Sequence, residues 1–401
     1  MKRRSGEGDV PVAKRKNGGK MGTAEEPSQC LVAKILPART AGSAPSATQN
    51  DRHSSAKSTA ASRSESLSSC ALSSIATATA APQKHIKEGP VWRRHVYPAK
   101  TVYEGYMVVD VHGNLMREGH GIYIDKCKNR YEGGWKNDRA QGYGTKEFSK
   151  GDRHEGLYKD DKRNGWGKYV WANGDKYIGQ WHKGMMHGRG TFMWAKGDTY
   201  EGEWCMGKMH GQGRKKMSNG DMYEGRWQNG MADGWGRKEF NCRDMHEGYY
   251  KEDKRCGFGL YSWMNGDRYG GGWKNGRMDG KGVKIMNNGD VYNGLWSEDK
   301  AQGWGVKIFA CGDRHEGFYD QDKRHRYGVY TWESGDRYEG FWEHGRMSGC
   351  GIKHMANGDV YDGEWSEDKA HGWGVKVFAN GDRHEGAYNT CIAAPDNLAR
   401  H

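Results

Sequence analysis

The stretch Tyr200-Glu201-Gly202-Glu203-Trp204-Cys205-Met206-Gly207-Lys208-Met209-His210-Gly211-Gln212-Gly213, closed by Gly220-Asp221, decides the fold. Count Tyr200 as position 1. Tyr, Gly and Trp at positions 1, 3 and 5 then fall on one side of a short strand, because successive side chains of a strand point to opposite faces. Gly207, at position 8, sits in a turn that calls for positive φ. Positions 12, 14, 16 and 18 (Gly211, Gly213, Lys215 and Met217) share one face of a second strand, and Gly220-Asp221 makes the return turn. Glycine weakens a strand unless something covers it. The expected cover is a Tyr or Trp ring from a neighbouring strand, lying over the bare backbone.

The pattern recurs. A Tyr or His followed by x-Gly-x-Trp/Tyr stands at Tyr131, His154, Tyr177, Tyr200, Tyr223, His246, Tyr269, Tyr292, His315, Tyr338, Tyr361 and His384, always 23 residues apart. Eleven units are complete and the twelfth is cut short. A degenerate copy with longer spacing precedes them, from Tyr103-Glu104-Gly105 to Gly119-His120-Gly121. Positions 3 and 14 are Gly and position 22 is Asp in all eleven units; Arg326 is the exception at position 12 and Arg243 at position 21. One hairpin alone is marginal, whereas stacked copies share a continuous aromatic–glycine ladder in which each contacts only its neighbours. The expected fold is therefore all-β: an elongated single-sheet solenoid of 23-residue hairpins, about 105 Å long at ~4.8 Å per strand. A slower rhythm is superposed. Each Phe at position 18 (Phe148, Phe240, Phe309, Phe378) precedes a unit that starts with His, which reads as duplication of a three-unit block.

Composition agrees. The 401 residues include 62 Gly and 17 Trp but only 8 Pro, none of them between Pro98 and Pro395. Proline lacks the N–H that a ladder needs, so its absence suits repeated strands. Residues 1–98 hold 16 Lys and Arg against 7 Asp and Glu, and so carry +9 of the formal +12. They are rich in Ser, Ala and Thr, have Trp92 as their only Trp and lack Phe. Such a stretch buries too little apolar surface to offset its ordering entropy, and a disordered tail is expected there. The expected organisation is a tail at 1–98, a degenerate leading repeat at 99–130, an array at 131–388 and a short tail at 389–401.

Units such as Tyr200-Glu-Gly-Glu-Trp204…Gly211-Gln-Gly213…Gly220-Asp221 and Tyr361-Asp-Gly-Glu-Trp365…Gly372-Trp-Gly374…Gly381-Asp382 resemble MORN repeats (membrane occupation and recognition nexus). MORN arrays accompany lipid kinases, methyltransferases, junctional membrane proteins and cytoskeletal or axonemal scaffolds. The resemblance implies a protein-binding scaffold that self-associates and sits on cytoskeletal or flagellar structures. Its alternative implication is a peripheral membrane module for anionic phospholipids.

Catalytic chemistry finds little support. His154, His246, His315 and His384 recur within the ladder; consecutive members of the last three lie some 29 Å apart, so packing and not metal binding is expected. The position-22 aspartates suggest turn hydrogen bonding, since calcium-binding β-helix repeats have nonapeptide periods. The nine cysteines hold no fixed repeat position and form no CxxC pair, so reduced thiols are expected rather than a zinc site or a nucleophile. No Walker loop or dinucleotide fingerprint is visible. No cofactor and no enzyme activity are expected. Nucleic-acid binding is not expected either, because acidic and basic residues of the array interleave.

Two candidate surfaces remain. The position-13 aromatics Tyr143, Trp166, Trp235, Phe258, Trp304, Tyr327 and Trp373 lie opposite the position-12 and -14 glycines and, if uncovered, form a stripe for a partner helix or a second copy. The basic runs Arg214-Lys215-Lys216 and Lys323-Arg324 are the lipid-contact candidates, beside the basic tail. The expected location is cytoplasmic, on cytoskeleton or membrane. Lys2-Arg3 and Lys14-Arg15-Lys16 have the layout of a bipartite nuclear-import signal and leave nuclear import open.

Overall fold

A computed structural model describes residues 86–98 and 100–388. It consists of 26 strands, from β1 (Ile86–Val96) to β26 (Arg383–Tyr388), without a helix among the described residues. Each strand pairs antiparallel with the next in chain order, so a single meander forms one sheet. Examples are β10 (Thr199–Cys205) with β11 (Lys208–Lys216) and β11 with β12 (Met222–Gln228). The expected all-β stack of hairpins is what is found. Most of the expected tail, and residues 389–401, lie outside the described residues.

The tail boundary moves. Ile86–Val96 forms a strand on the edge of β2 (Val102–Asp110), not a tail segment. Sequence periodicity misses it because backbone pairing holds it: Val91 and Trp92 are exposed, and Pro90 and two register shifts interrupt the ladder. The degenerate copy, β2 with β3 (Leu115–Ile124), is a regular repeat in which Gly105 faces Gly121.

Turn chemistry sets the register. Between the strands of a unit, both residues at positions 7 and 8 adopt positive φ, as at Asn137 (48°) and Asp138 (66°) or Met206 (49°) and Gly207 (79°). Two such residues fit the twist of paired strands. Position 12 is also left-handed, and its bulge shifts the pairing after Gly202. Arg326 (φ 57°) and Arg243 (φ 70°) adopt the same conformation as the glycines they replace.

A row of glycines, one per strand from Gly105 to Gly386, runs across the sheet in register: Gly190 faces Gly202, Gly202 faces Gly213, and Gly213 faces Gly225. A Cβ on Gly202 would lie 2.5 Å from the Cα of Gly213, and one on Gly213 would lie 2.3 Å from Oη of Tyr200. Both glycines are therefore required, the first by the closeness of two backbones and the second by the ring above it. The Tyr200 hydroxyl donates to the Glu203 carbonyl (3.0 Å), and Trp204 Nε1 donates to the Gly190 carbonyl of the preceding unit (3.0 Å). The Trp204 ring meets Tyr200 and Tyr177 edge to face, at 5.2 and 5.4 Å. These rings form the core, on one face of the sheet.

Both turns are pinned to the next hairpin. Every position-22 carboxylate from Asp152 to Asp359 accepts from a backbone N–H in the following unit's return turn, as Asp152 does from Ala172 (2.9 Å) and Asp221 from Asn241 (2.9 Å). The bond joins turns instead of closing its own. In most units the same carboxylate also holds position 16 of the next unit, either a tyrosine hydroxyl (Tyr169 to Asp152, 2.7 Å) or a lysine (Lys307 to Asp290, 3.2 Å); Phe192 stands at that position after Asp175, and Asp198 pairs with Lys196 instead. The Tyr169 hydrogen bond holds the Asp152 carboxyl below its ordinary range.

Candidate partner-binding face

Strand alternation places positions 2, 4, 13 and 15 on the face the rings do not use. Of the seven predicted aromatics, Tyr143, Trp166, Trp235, Trp304, Tyr327 and Trp373 are exposed there, from 36% at Trp304 to 60% at Tyr143. Phe258 is half-buried. Their partners are not evident from the position-13 pattern alone. Position 13 faces position 4 of the next hairpin, which gives edge-to-face pairs of Trp235 with Tyr249 (5.1 Å) and Trp304 with Phe318 (5.2 Å); Tyr327 with Phe341 is at 6.0 Å. Tyr143 likewise faces Leu157. The signal was available, since position 4 lies on the side opposite that of positions 1, 3 and 5.

The stripe is interrupted. Arg189, Gln212, Lys281 and Cys350 occupy position 13 in the intervening units. A shallow depression of 650 Å³ lies in the first gap, lined by Trp166, Ile178, Arg189, Glu201 and Arg214 among others. Beside the aromatic row runs a row of carboxylates. Position 2 is Glu155, Glu247, Glu316 or Glu339 next to the four pairs, and each faces position 15 across the ladder. The Tyr143 hydroxyl donates to Glu155 at 2.7 Å, and that of Tyr327 donates to Glu339. Burial and this bond to Glu339 push the Tyr327 hydroxyl up to about 12.

The basic candidates do not converge. Arg214 and Lys216 are exposed on this outer face, while Lys215 points to the other and lies 5.1 Å from the Trp194 ring centroid. Lys323 is exposed, but Arg324 is drawn into the core: its guanidinium stacks 4.1 Å over Trp342 and donates to the Gly345 carbonyl (2.6 Å). Loss of hydration lowers its pKa. Arg324 is thus taken up by packing and not presented to headgroups. Arg163 and Arg255 repeat that stack over Trp181 and Trp273.

The histidines are ladder residues, as expected. His154, His246 and His315 are fully buried, and each Nδ1 lies 2.7–2.8 Å from the hydroxyl of the tyrosine at position 5. Each Nε2 has no hydrogen-bond partner among the described residues and abuts the position-14 glycine. Burial, aided by the nearby position-10 arginine, pushes their pKa down to about 3, so they are neutral. Four ring clusters meet at these joints: His154 bridges Tyr158 (5.0 Å) to Trp181 (5.5 Å). His384, in the cut-short final unit, is exposed. Among the described residues, no three His, Cys, Asp or Glu side chains are grouped to hold a metal ion.

The MORN repeat pattern matches ten segments: residues 131–153, 154–176, 177–199, 200–222, 223–241, 246–268, 269–291, 315–337, 338–360 and 361–383. The chain belongs to the MORN-repeat family. The hairpin that starts at Tyr292 escapes the pattern, yet Val291–Ser297 and Lys300–Ile308 make the same MORN unit. No curated protein matches this MORN chain in sequence. Solved structures give weak likenesses. The TCP domain of SAS-4 (dCPAP) from Drosophila melanogaster, in complex with a proline-rich motif of Ana2 (dSTIL), is 13% identical over 44% of this chain and 85% of that one, with a TM-score of 0.23. The TCP10 domain of Danio rerio CPAP, in complex with a STIL peptide, is 12% identical over 62% and 96%, with a TM-score of 0.18. A streptogramin B lyase is 11% identical over 68% and 90%, with a TM-score of 0.13. Likenesses of this size support no functional argument.

Proposed function

We propose that this MORN array is a non-catalytic scaffold that captures a protein partner along its outer face. One observation carries the reading: pairs of large aromatic side chains stand exposed on the face that the core does not need. Trp and Tyr are the residues that dominate binding energy at protein interfaces, and grouped exposed apolar side chains mark interaction sites. The groups recur along the sheet, at Tyr143–Trp166, Trp235–Phe258 and Leu295–Phe341. That spacing suits an elongated partner, and a cytoskeletal or axonemal component is the class proposed.

The test uses the full chain and a Trp235→Ala/Trp304→Ala double variant as baits in extract of the native cell, with identification of what is retained. The expected result is a defined partner held by the wild type and lost from the variant, with unchanged far-UV circular dichroism. Equal retention of that partner by both would remove the outer face from the function.

A further inference from the structure

The spacing of the aromatic row selects among partner conformations. From Leu295 to Phe341, five consecutive strands each present an apolar residue in this row: Leu295, Trp304, Phe318, Tyr327 and Phe341. Equivalent residues of successive units, such as Trp304 and Tyr327, are two strands apart, or about 9.6 Å. A segment lying across the strands meets equivalent side chains at that interval.

An α-helix rises about 1.5 Å and turns about 100° per residue, so 9.6 Å corresponds to roughly 6.4 residues and leaves its contacts about 80° out of phase from unit to unit. An extended strand covers the distance in about three residues, which switches its face at each unit. A polyproline II helix has three residues per turn and a rise of about 3.1 Å, giving a pitch of roughly 9.3 Å. It alone returns the same face to each successive pair.

Charge selects further. The Trp304–Phe318 pair stands beside Glu316, and the Tyr327–Phe341 pair stands beside Glu339, each two residues along the strand. The Trp235–Tyr249 pair has Glu247 in the same place. Glu316 and Glu339 are paired with Arg314 and Arg337, half-exposed contacts of the kind that contributes little, and Glu339 also accepts from the Tyr327 hydroxyl, which leaves its carboxylate charge in place. An apolar ridge with a carboxylate beside each of its two aromatic pairs complements a segment with a cation at each turn that meets them.

We propose that this row binds a proline-rich segment bearing arginine or lysine, in the polyproline II conformation and laid across the strands. Its prolines seat against the Trp304–Phe318 and Tyr327–Phe341 pairs, and its cations meet Glu316 and Glu339. This inference rests on the scaffold reading above and names the class of partner.

The test titrates the full chain against fluorescent peptides of about fifteen residues, roughly five polyproline II turns: Arg-Pro-Pro repeats, Glu-Pro-Pro repeats, and an arginine-bearing amphipathic helix. Arg-Pro-Pro repeats bind and Glu-Pro-Pro repeats do not. Trp304→Ala/Tyr327→Ala weakens binding at least about tenfold, and Glu316→Gln/Glu339→Gln weakens it severalfold; Met264→Ala, at an exposed return turn outside the row, leaves it unchanged. The inference is overturned if Arg-Pro-Pro repeats fail to bind or bind the Trp304/Tyr327 variant equally. Binding of the helical peptide alone, lost in that variant, would overturn the conformation while leaving the scaffold reading intact. Loss of neither peptide nor native partner on changing the row would end both.

Discussion

The two faces of this sheet are built from alternate residues of the same strands, yet they follow opposite rules. On the core face one arrangement recurs in nearly every unit: a ring at position 1 over glycine at position 14, and an indole at position 5 bonded to the preceding hairpin. At these positions only the His-headed units depart, where His at position 1 is accompanied by Tyr at position 5. On the outer face position 13 is Trp, Tyr, Phe, Arg, Gln, Lys or Cys within a single chain. The difference teaches which residues the fold dictates. Glycines whose added Cβ would come within about 2.5 Å of a neighbouring backbone or ring admit no alternative, whereas an exposed position is free to serve a partner.

The sharpest contrast places two substitutions on neighbouring residues. Gly213→Ala puts a methyl group 2.3 Å from the Tyr200 hydroxyl. It is expected to cost about 2–3 kcal/mol. Gln212→Ala, on the outer face beside it, is expected to stay within about 0.5 kcal/mol. Urea unfolding of the two variants checks the pair, and similar costs would break the distinction between the faces.

Acid attacks the core face at its joints. The three buried histidines have a pKa of about 3 in the folded chain, against about 6.5 when unfolded. Between these values the unfolded chain binds more protons, so stability falls as pH drops below about 6.5. From pH 7 to 5 each histidine contributes a loss of about 2 kcal/mol. Proton NMR checks this directly: the three imidazoles should show no titration between pH 7 and 5 while urea resistance declines. Titration near 6.5 would contradict their burial.

A smaller effect tests the backbone. Arg326 is exposed and holds φ at 57°, where its neighbours in the repeat have glycine. Arg326→Gly relieves the side-chain conflict of the left-handed region while adding unfolded-state entropy, for a net gain of about 0.5–1 kcal/mol. Thermal unfolding of this variant below the wild-type midpoint would refute the steric account.

Much of the core face was legible because backbone sterics repeat. Gly213, Trp204 and the turn at Gly207 could be placed from a single unit and checked against ten others. Three features were not. β1 pairs through its backbone and buries little, so it leaves no periodic trace. Asp152 looks like a residue of its own turn, but its carboxylate serves Ala172, 20 residues on and in another hairpin; sequence spacing does not reveal that neighbour. The charge runs misled for a simpler reason. Consecutive residues of a strand face opposite ways, so Lys215 leaves its neighbours and Arg324 enters the ring stack. At the candidate site, position 13 was found because it opposes the glycines. Position 4 was passed over because its aromatic character appears only in some units, as at Tyr249, Phe318 and Phe341.

The division between a structural face and a partner face meets its most direct test in two tryptophans of one hairpin. Trp296 is 7% exposed and donates to the Gly282 carbonyl (3.1 Å), whereas Trp304 is 36% exposed on the other side. Urea unfolding of the full chain should show Trp296→Ala costing about 3–5 kcal/mol and Trp304→Ala less than about 1 kcal/mol. Equal losses, or a larger loss at Trp304, would contradict the account.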